Sequence, residues 1–328
     1  MESSLSILTK KGQELGFFST LESMFRLKAL PFSCGRAAMV KGLEALGFSR
    51  MDEILVPPFL CQAVLSALSL ASFPTMMPTH RTKGILVLHQ FGYPQQLDVI
   101  EKQANTNGWK ILSDCAHTIF STYKDRHLSG WGDFSILSLS KIYPCILGGA
   151  FVSSKRDIFT RVMKNYNAIG VSHLAQADRA YEVLNKANNN LLCEEAEFEV
   201  AAVYGYLPKV VAFPSKAIAS LPQSREKIEE DIKRRKELLN IVRSYFANRI
   251  PRCPESDIVP YAIPILFDPS KLWSIRSAIK KKIGIDIPVL HFDFARNMLK
   301  PNYKKTLIIE CRYGMNSSTV IKICELLK

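Results

Sequence analysis

No two of the eight cysteines, at positions 34, 61, 115, 145, 193, 253, 311 and 324, form a C-x-x-C pair. That spacing argues against a zinc site and against a disulfide framework. No metal site is expected. Scattered through apolar stretches, the cysteines are expected to be buried and reduced, as in a cytoplasmic protein. Met1 to Lys11 lacks a basic segment followed by an apolar run, so no secretory signal is expected. There is no internal repeat. There is also no nucleic-acid-binding motif, and no stacking aromatics interleave the basic residues, so no specific nucleic-acid partner is expected. One uncharged stretch, Leu55 to Thr79, has the length of a membrane helix, but Pro57, Pro58, Gln62 and several serines interrupt it. It reads as a strand end, a loop and a buried helix.

What is present is ordinary in bulk. The chain has 328 residues, 47% hydrophobic and 22% charged. These values exclude a disordered chain and fit one large domain plus a smaller one. The net charge of +13 is uneven, with +3 in residues 1–154 and +10 in the remainder. A basic C-terminal half attracts polyanions, a nucleotide diphosphate included. The runs Lys227–Lys236 and Lys271–Lys282 read as solvated helix faces.

The first half alternates short apolar runs with helical periodicity. Helices are expected over Ala37–Leu46, closed by Gly47, over Gln62–Leu70, and over Leu97–Asn107, closed by Gly108. Strands are expected over Glu53–Val56, Gly84–His89, Trp109–Ser113, Phe134–Leu139 and Gly149–Ser153. Such alternation implies an α/β fold with a mainly parallel sheet flanked by helices, whose ligands sit at the carboxyl ends of the strands. Lys155–Leu207 reads as polar and helical with a soft spot at Ala187–Asn190, and Ser224–Phe246 as one long charged helix. A strand near Tyr261–Phe267, a helix over Lys271–Lys282, a strand near Ile308 and a helix over Ser317–Leu327, capped by Ser317, suggest a smaller α+β domain. The expected division is 1–215 and 216–328.

Four segments can carry chemistry. Ser33-Cys34-Gly35-Arg36-Ala37-Ala38 opens a helix, and its free N–H groups suit a phosphate, although any helix start looks similar. Asp114-Cys115-Ala116-His117 follows an apolar strand. The carboxylate can pair with a protonated ring nitrogen while His117 reaches the same ligand, or Asp114 can simply cap a helix. In Ser138-Leu139-Ser140-Lys141 a lysine follows an apolar strand. A partly desolvated amine is a nucleophile for a carbonyl and the serines can hold a phosphate, whereas an exposed loop lysine has neither role. Gly148-Gly149 before a strand marks a tight turn or a close backbone approach.

In this order, the segments resemble the DegT/DnrJ/StrS group of sugar aminotransferases, which are fold-type-I pyridoxal-phosphate (PLP) enzymes. The family's S-G-T-A-A-L corresponds to Cys34–Met39 (CGRAAM), D-E-V-I-V-P to Asp52–Pro57, and V-H-x-x-G-x-P to Leu88–Pro94. Its E-D-x-A-Q/H corresponds to Ser113–His117, and its G-D, lysine and G-G-A to Gly132-Asp133, Lys141 and Gly148-Gly149-Ala150. Ile308–Leu327 resembles the family's ending.

The resemblance implies a fold-type-I architecture with a seven-stranded-type sheet. It implies that Lys141 forms the Schiff base with PLP and later moves the substrate proton. Asp114 pairs with the pyridinium nitrogen, and His117 lies near the ring hydroxyl. Gly35 and Arg36 form the phosphate turn, with Ser138 and then Ser140 as phosphate ligands. The chain departs from the family at Arg36, where a Thr is usual, and at Cys61, where an aromatic normally stacks on the ring. Phe59 is the nearest aromatic. The segment between Leu70 and Lys83 is shorter than usual. The implied activity is transfer of an amino group from an amino acid such as glutamate to a nucleotide-linked keto-sugar, in polysaccharide or secondary-metabolite biosynthesis, by a cytoplasmic homodimer. His291, Arg296 and Tyr313 are further candidates for the site. Two alternatives stand beside this reading. One is a PLP-dependent lyase, dehydratase or epimerase, and the other a non-catalytic relative.

Overall fold

Strands buried on both faces read as continuous apolar runs, and Ile85, Leu86 and Val87 are fully buried between two helical layers. A computed structural model of the chain describes residues 16–167, 171–188 and 194–328. The signal-peptide reading of Met1–Lys11 and residues 189 and 190 of the soft spot lie outside these described residues.

The chain runs through α1 (Gly16–Phe25), β1 (Lys28–Phe32), α2 (Gly35–Ala45), β2 (Glu53–Leu55), α3 (Gln62–Ala71), β3 (Phe73–Thr75), β4 (Thr82–Leu88), α4 (Leu97–Asn107) and β5 (Lys110–Cys115). It continues with a small hairpin, β6 (Thr122–Tyr123) and β7 (Arg126–His127), then β8 (Phe134–Ser138), α5 (Leu139–Ile142) and β9 (Gly149–Ser153). Three helices follow: α6 (Arg156–Asn167), α7 (Val171–Asn188) and α8 (Glu194–Tyr206). The last part holds α9 (Arg225–Phe246), β10 (Ala262–Ile265), α10 (Leu272–Ile283), β11 (Val289–Asp293), β12 (Tyr303–Glu310) and α11 (Ser317–Leu327).

Seven strands form the large sheet in the order β1-β9-β8-β5-β4-β2-β3. Only β9 runs against its neighbours. β10, β12 and β11 form a second, antiparallel sheet. The expected α/β class with a mainly parallel sheet and a smaller α+β part is therefore the observed one. Two apolar cores follow the two sheets, and α9 spans both. Ile228 lies in the first core, while Leu238, Leu239, Val242 and Phe246 lie in the second. Phe91 and Tyr93, from the loop after β4, belong to the second core beside Phe292.

Some local expectations shift. Asn316, not Ser317, caps α11: its side chain accepts the Thr319 N–H at 2.9 Å, while the Ser317 hydroxyl donates to Glu237. The face 227–236 is not wholly solvated, because Asp231 and Arg235 are buried. Cys61 is exposed, whereas the other six described cysteines are buried and all seven are free. Among the described residues no helix is long and apolar enough to cross a membrane, and no cluster of His, Cys, Asp and Glu could hold a metal.

Candidate active site

β5 and β8 are adjacent and parallel, pairing Asp114 with Ile136 and Cys115 with Leu137. Their carboxyl ends therefore deliver Asp114 and the Ser138–Lys141 turn to one place. The start of α2 joins them from the other side. Gly35 is packed so closely that a Cβ there would lie 3.0 Å from the Leu137 carbonyl oxygen. Gly149, which pairs with Phe32, approaches the same turn, and a Cβ on it would lie 2.3 Å from the Cys34 carbonyl carbon and the Gly35 nitrogen. Only glycine permits this approach. The expected close contact at Gly148-Gly149 is thus found at the second glycine.

Asp114 is 1% exposed. One carboxylate oxygen, Oδ1, accepts the Ala116 N–H at 2.9 Å, and no side chain donates to Oδ2 among the described residues. Burial pushes its pKa up, opposed by the positive charge of Lys141 and by the Ala116 hydrogen bond. A buried carboxylate of this kind favours a cationic partner.

Lys141 Nζ lies 3.0 Å from Nε2 of His117. The lysine retains solvent contact, but surrounding protein desolvates its amine and lowers its pKa. Asp114 and Cys61 oppose that shift, and the Arg36 cation reinforces it. Asp114, His117, Arg36 and Cys61 thus all bear on Lys141. Ser138 and Ser140, on the same turn, have hydroxyls 3.5 Å apart.

The His117 ring lies between two aromatic faces, Tyr261 at 4.9 Å and 8° and Phe91 at 5.6 Å and 26°. The Phe91 N–H donates to Nδ1 at 3.3 Å. With Nδ1 accepting, a neutral ring carries its proton on Nε2, where it can donate to the lone pair of an uncharged Lys141 amine. Burial first, and then the Lys141 charge, hold the His117 pKa well below its ordinary value. Desolvation and hydrogen-bond polarity therefore both favour a neutral pair.

His89, one strand over, is fully buried and its Nε2 lies 3.0 Å from the Ser113 hydroxyl, with the Gln95 N–H donating to Nδ1. Burial lowers its pKa to about 3. Its backbone N–H donates to the Asp114 carbonyl, which ties the loop after β4 to the site.

Not every expected residue converges. Phe59 turns away and stacks on His291 at 4.3 Å and 16°, with Tyr303 edge-on at 4.7 Å. Arg296 donates to the Pro94 carbonyl, and Tyr313 lies against Tyr143. Arg36 stays within electrostatic reach of Lys141 while its guanidinium donates to the Tyr204 carbonyl at 3.4 Å and lies over that ring. Sequence reasoning missed Tyr261 and Arg235. The guanidinium of Arg235 donates to the carbonyl of Ile142, the neighbour of Lys141.

The donor set fits PLP. It offers an amine for a carbonyl, a buried carboxylate for a pyridinium N–H, an imidazole N–H for a ring oxygen, and free N–H groups at the start of α2 for a phosphate. Gly35, Arg36, Asp114, His117, Ser138, Ser140 and Lys141 would hold it.

Residues 75–252, more than half of the chain, match the DegT/DnrJ/EryC1/StrS aminotransferase family. The L-glutamine:scyllo-inosose aminotransferase of Streptomyces griseus is 28% identical over 152 residues, 40% of this chain and 36% of that protein. The GDP-perosamine synthase of Escherichia coli O157:H7 is 25% identical over 155 residues, 41% of this chain and 43% of that protein. These matches thus span less than half of either relative. The crystal structure of DesI in the presence of its TDP-sugar product superposes with a TM-score of 0.67 at 14% identity, covering 95% of this chain and 82% of that one. This likeness carries the fold. On the family match, in register with the site just described, the chain belongs to the DegT/DnrJ/EryC1/StrS aminotransferase family.

Proposed function

We propose that the chain is a PLP-dependent aminotransferase that moves an amino group from an amino acid, glutamate being the leading donor, to a keto-sugar carried on a nucleotide. The observation that carries this reading is the meeting of Lys141, His117 and Asp114 at the carboxyl ends of β5 and β8. Bound there, PLP supplies a carbonyl for the lysine amine and a ring that withdraws electrons from the substrate carbon. Asp114 holds a proton on the ring nitrogen by its charge. His117 orients the cofactor through Nε2. Lys141 offers a neutral Nζ and carries the proton to and from the substrate carbon. Donor and acceptor use the same space in turn. The surplus of +10 in residues 155–328 favours a diphosphate-bearing acceptor. The same reading includes a cytoplasmic homodimer whose second subunit closes the site.

The testing experiment is the absorption spectrum of the protein with PLP, beside a Lys141→Ala variant, before and after glutamate. The wild type is expected to be yellow, the variant to lack that band, and glutamate to bleach the wild type to the pyridoxamine form. One observation favours a second reading, a non-catalytic relative: Cys61 stands in the position of the stacking aromatic, and Phe59 is packed elsewhere. A wild type that takes up no PLP would establish that reading and end the first.

A further inference from the structure

Arg235 is among the largest fully buried side chains, 1% exposed. A buried guanidinium is tolerated only when it is paired and hydrogen-bonded, so its partners show what it is there to hold. Nε donates to Asp231 Oδ2 at 2.7 Å. Nη2 donates to the Ile142 carbonyl at 2.8 Å, and Nη1 to the Pro260 carbonyl at 3.3 Å. Ile142 ends α5, where helix geometry leaves carbonyls without intrahelical donors, and it is peptide-bonded to Lys141. Pro260 is peptide-bonded to Tyr261, whose ring stacks on His117. The Tyr261 backbone is fixed in turn by Phe91 and Cys311, its N–H donating to the Phe91 carbonyl and its carbonyl accepting from the Cys311 N–H. One guanidinium therefore grips the main chain on both sides of the Lys141–His117 contact.

We propose that Arg235, with Asp231 as its counter-ion, is a positioning residue that sets Lys141 against His117. The inference rests on the reading of Lys141 as the reactive lysine. Arg has the right geometry for this task, because its planar fork reaches two carbonyls and a carboxylate at once, whereas a lysine offers one point charge. Arg234 is a natural control. It pairs with the other oxygen of Asp231 at 2.6 Å, but it donates to the carbonyls of Met315 and Cys311, away from the lysine turn. The groups facing Lys141 are Asp114 of β5, His117 after it, Cys61 before α3 and Arg36 of α2. Asp231 and Arg234 of α9, Tyr143 after α5, and Tyr261 and Cys311 surround Arg235.

The test is reductive methylation of Lys141 in the PLP-free full chain across pH, followed by mass spectrometry and set beside the thermal midpoint. In the wild type, Lys141 is expected to label with a midpoint below the ordinary lysine value of 10.5. In Arg235→Lys the midpoint moves back toward that value, and labelling near pH 8 falls about threefold, the effect of half a pK unit on the neutral fraction. Arg234→Gln lowers the thermal midpoint and leaves the Lys141 profile unchanged. Should Arg235→Lys fail to fold, Asp231→Asn, which removes the counter-ion and keeps the shape, carries the same expectation for the profile. A folded Arg235→Lys or Asp231→Asn with the wild-type profile overturns the positioning role alone. A wild-type Lys141 that labels like an exposed lysine overturns the reading of Lys141, and this inference with it.

Discussion

Nε2 of His117 stands 3.0 Å from Nζ of Lys141, and the Phe91 N–H at Nδ1 fixes which nitrogen carries the imidazole proton. The lysine is thereby met by a donor rather than an acceptor, which suits an amine that must be uncharged to attack a carbonyl. A side chain at 117 that still offers an N–H should preserve the site, and an apolar one should not. His117→Gln is expected to retain PLP, and His117→Leu to bind it about tenfold more weakly, the worth of roughly one hydrogen bond to a polar ligand atom. Titrating PLP into both variants by fluorescence checks this, and equal affinities would remove His117 from the cofactor's contacts.

Asp114→Asn keeps the side chain's shape and removes its charge. The variant should still fold, because its carboxylate accepts one backbone bond that an amide oxygen can also accept. Bleaching of the PLP-loaded protein by glutamate should slow on the order of a hundredfold, as when one preorganised electrostatic partner is removed. Stopped-flow absorbance measures the rate, and a wild-type rate would show that Asp114 does not face the ring nitrogen.

Acid should destabilise the fold through His89 before its carboxylates protonate. Burial lowers this histidine from 6.5 to about 3, so between those values the unfolded chain binds a proton that the folded one refuses. The stabilising contribution is complete above pH 6.5 and is lost as the pH falls toward 3. Between pH 7 and pH 5 the loss is about 2 kcal/mol. Urea unfolding at the two pH values should show at least this loss, because burial holds His117 low as well, and His89→Gln should remove the His89 share and leave the remainder. A His89→Gln slope as steep as that of the wild type would contradict the assignment.

Gly149→Ala should destabilise the chain by about 1–3 kcal/mol through forced overpacking, because the added carbon meets backbone and not a flexible side chain. It should also weaken PLP binding, since the displaced atoms belong to the Cys34–Gly35 turn. Chemical denaturation and a phosphate-dependent binding assay report the two effects separately. A variant as stable as the wild type would mean that the turn does not lie against β9.

Much of this site was legible because its parts lie at strand ends. An apolar run followed at once by Asp114 or by Ser138–Lys141 announces both a buried strand and a polar terminus, and parallel pairing of β5 and β8 does the rest. The glycine pair was legible for a similar local reason. What could not be read was set by long-range packing. Arg235 sits in a charged helical run that looks solvated, and only the fold presses one turn of that helix against the lysine loop. Tyr261 looked like one more residue of an apolar strand, and nothing in its neighbours points toward His117. Phe59 was the nearest aromatic by sequence, but β11 and β12 offered it a stack on His291 and an edge contact with Tyr303. The edge strands β1 and β3, each carrying a proline (Pro31 and Pro74), and the strand β11 did not register as strands.

The ring of His117 extends from the turn after β5 to lie between Phe91 and Tyr261, both packed on the core of the three-stranded sheet. The imidazole is therefore a rivet between the two halves of the molecule. Rotation of one half over the other would have to carry the ring along or shear it out of its stack, and either event would alter the proton environment of the lysine. The packing between the two cores and the surroundings of the amine thus meet at the His117 ring, as they do at the main chain that Arg235 holds.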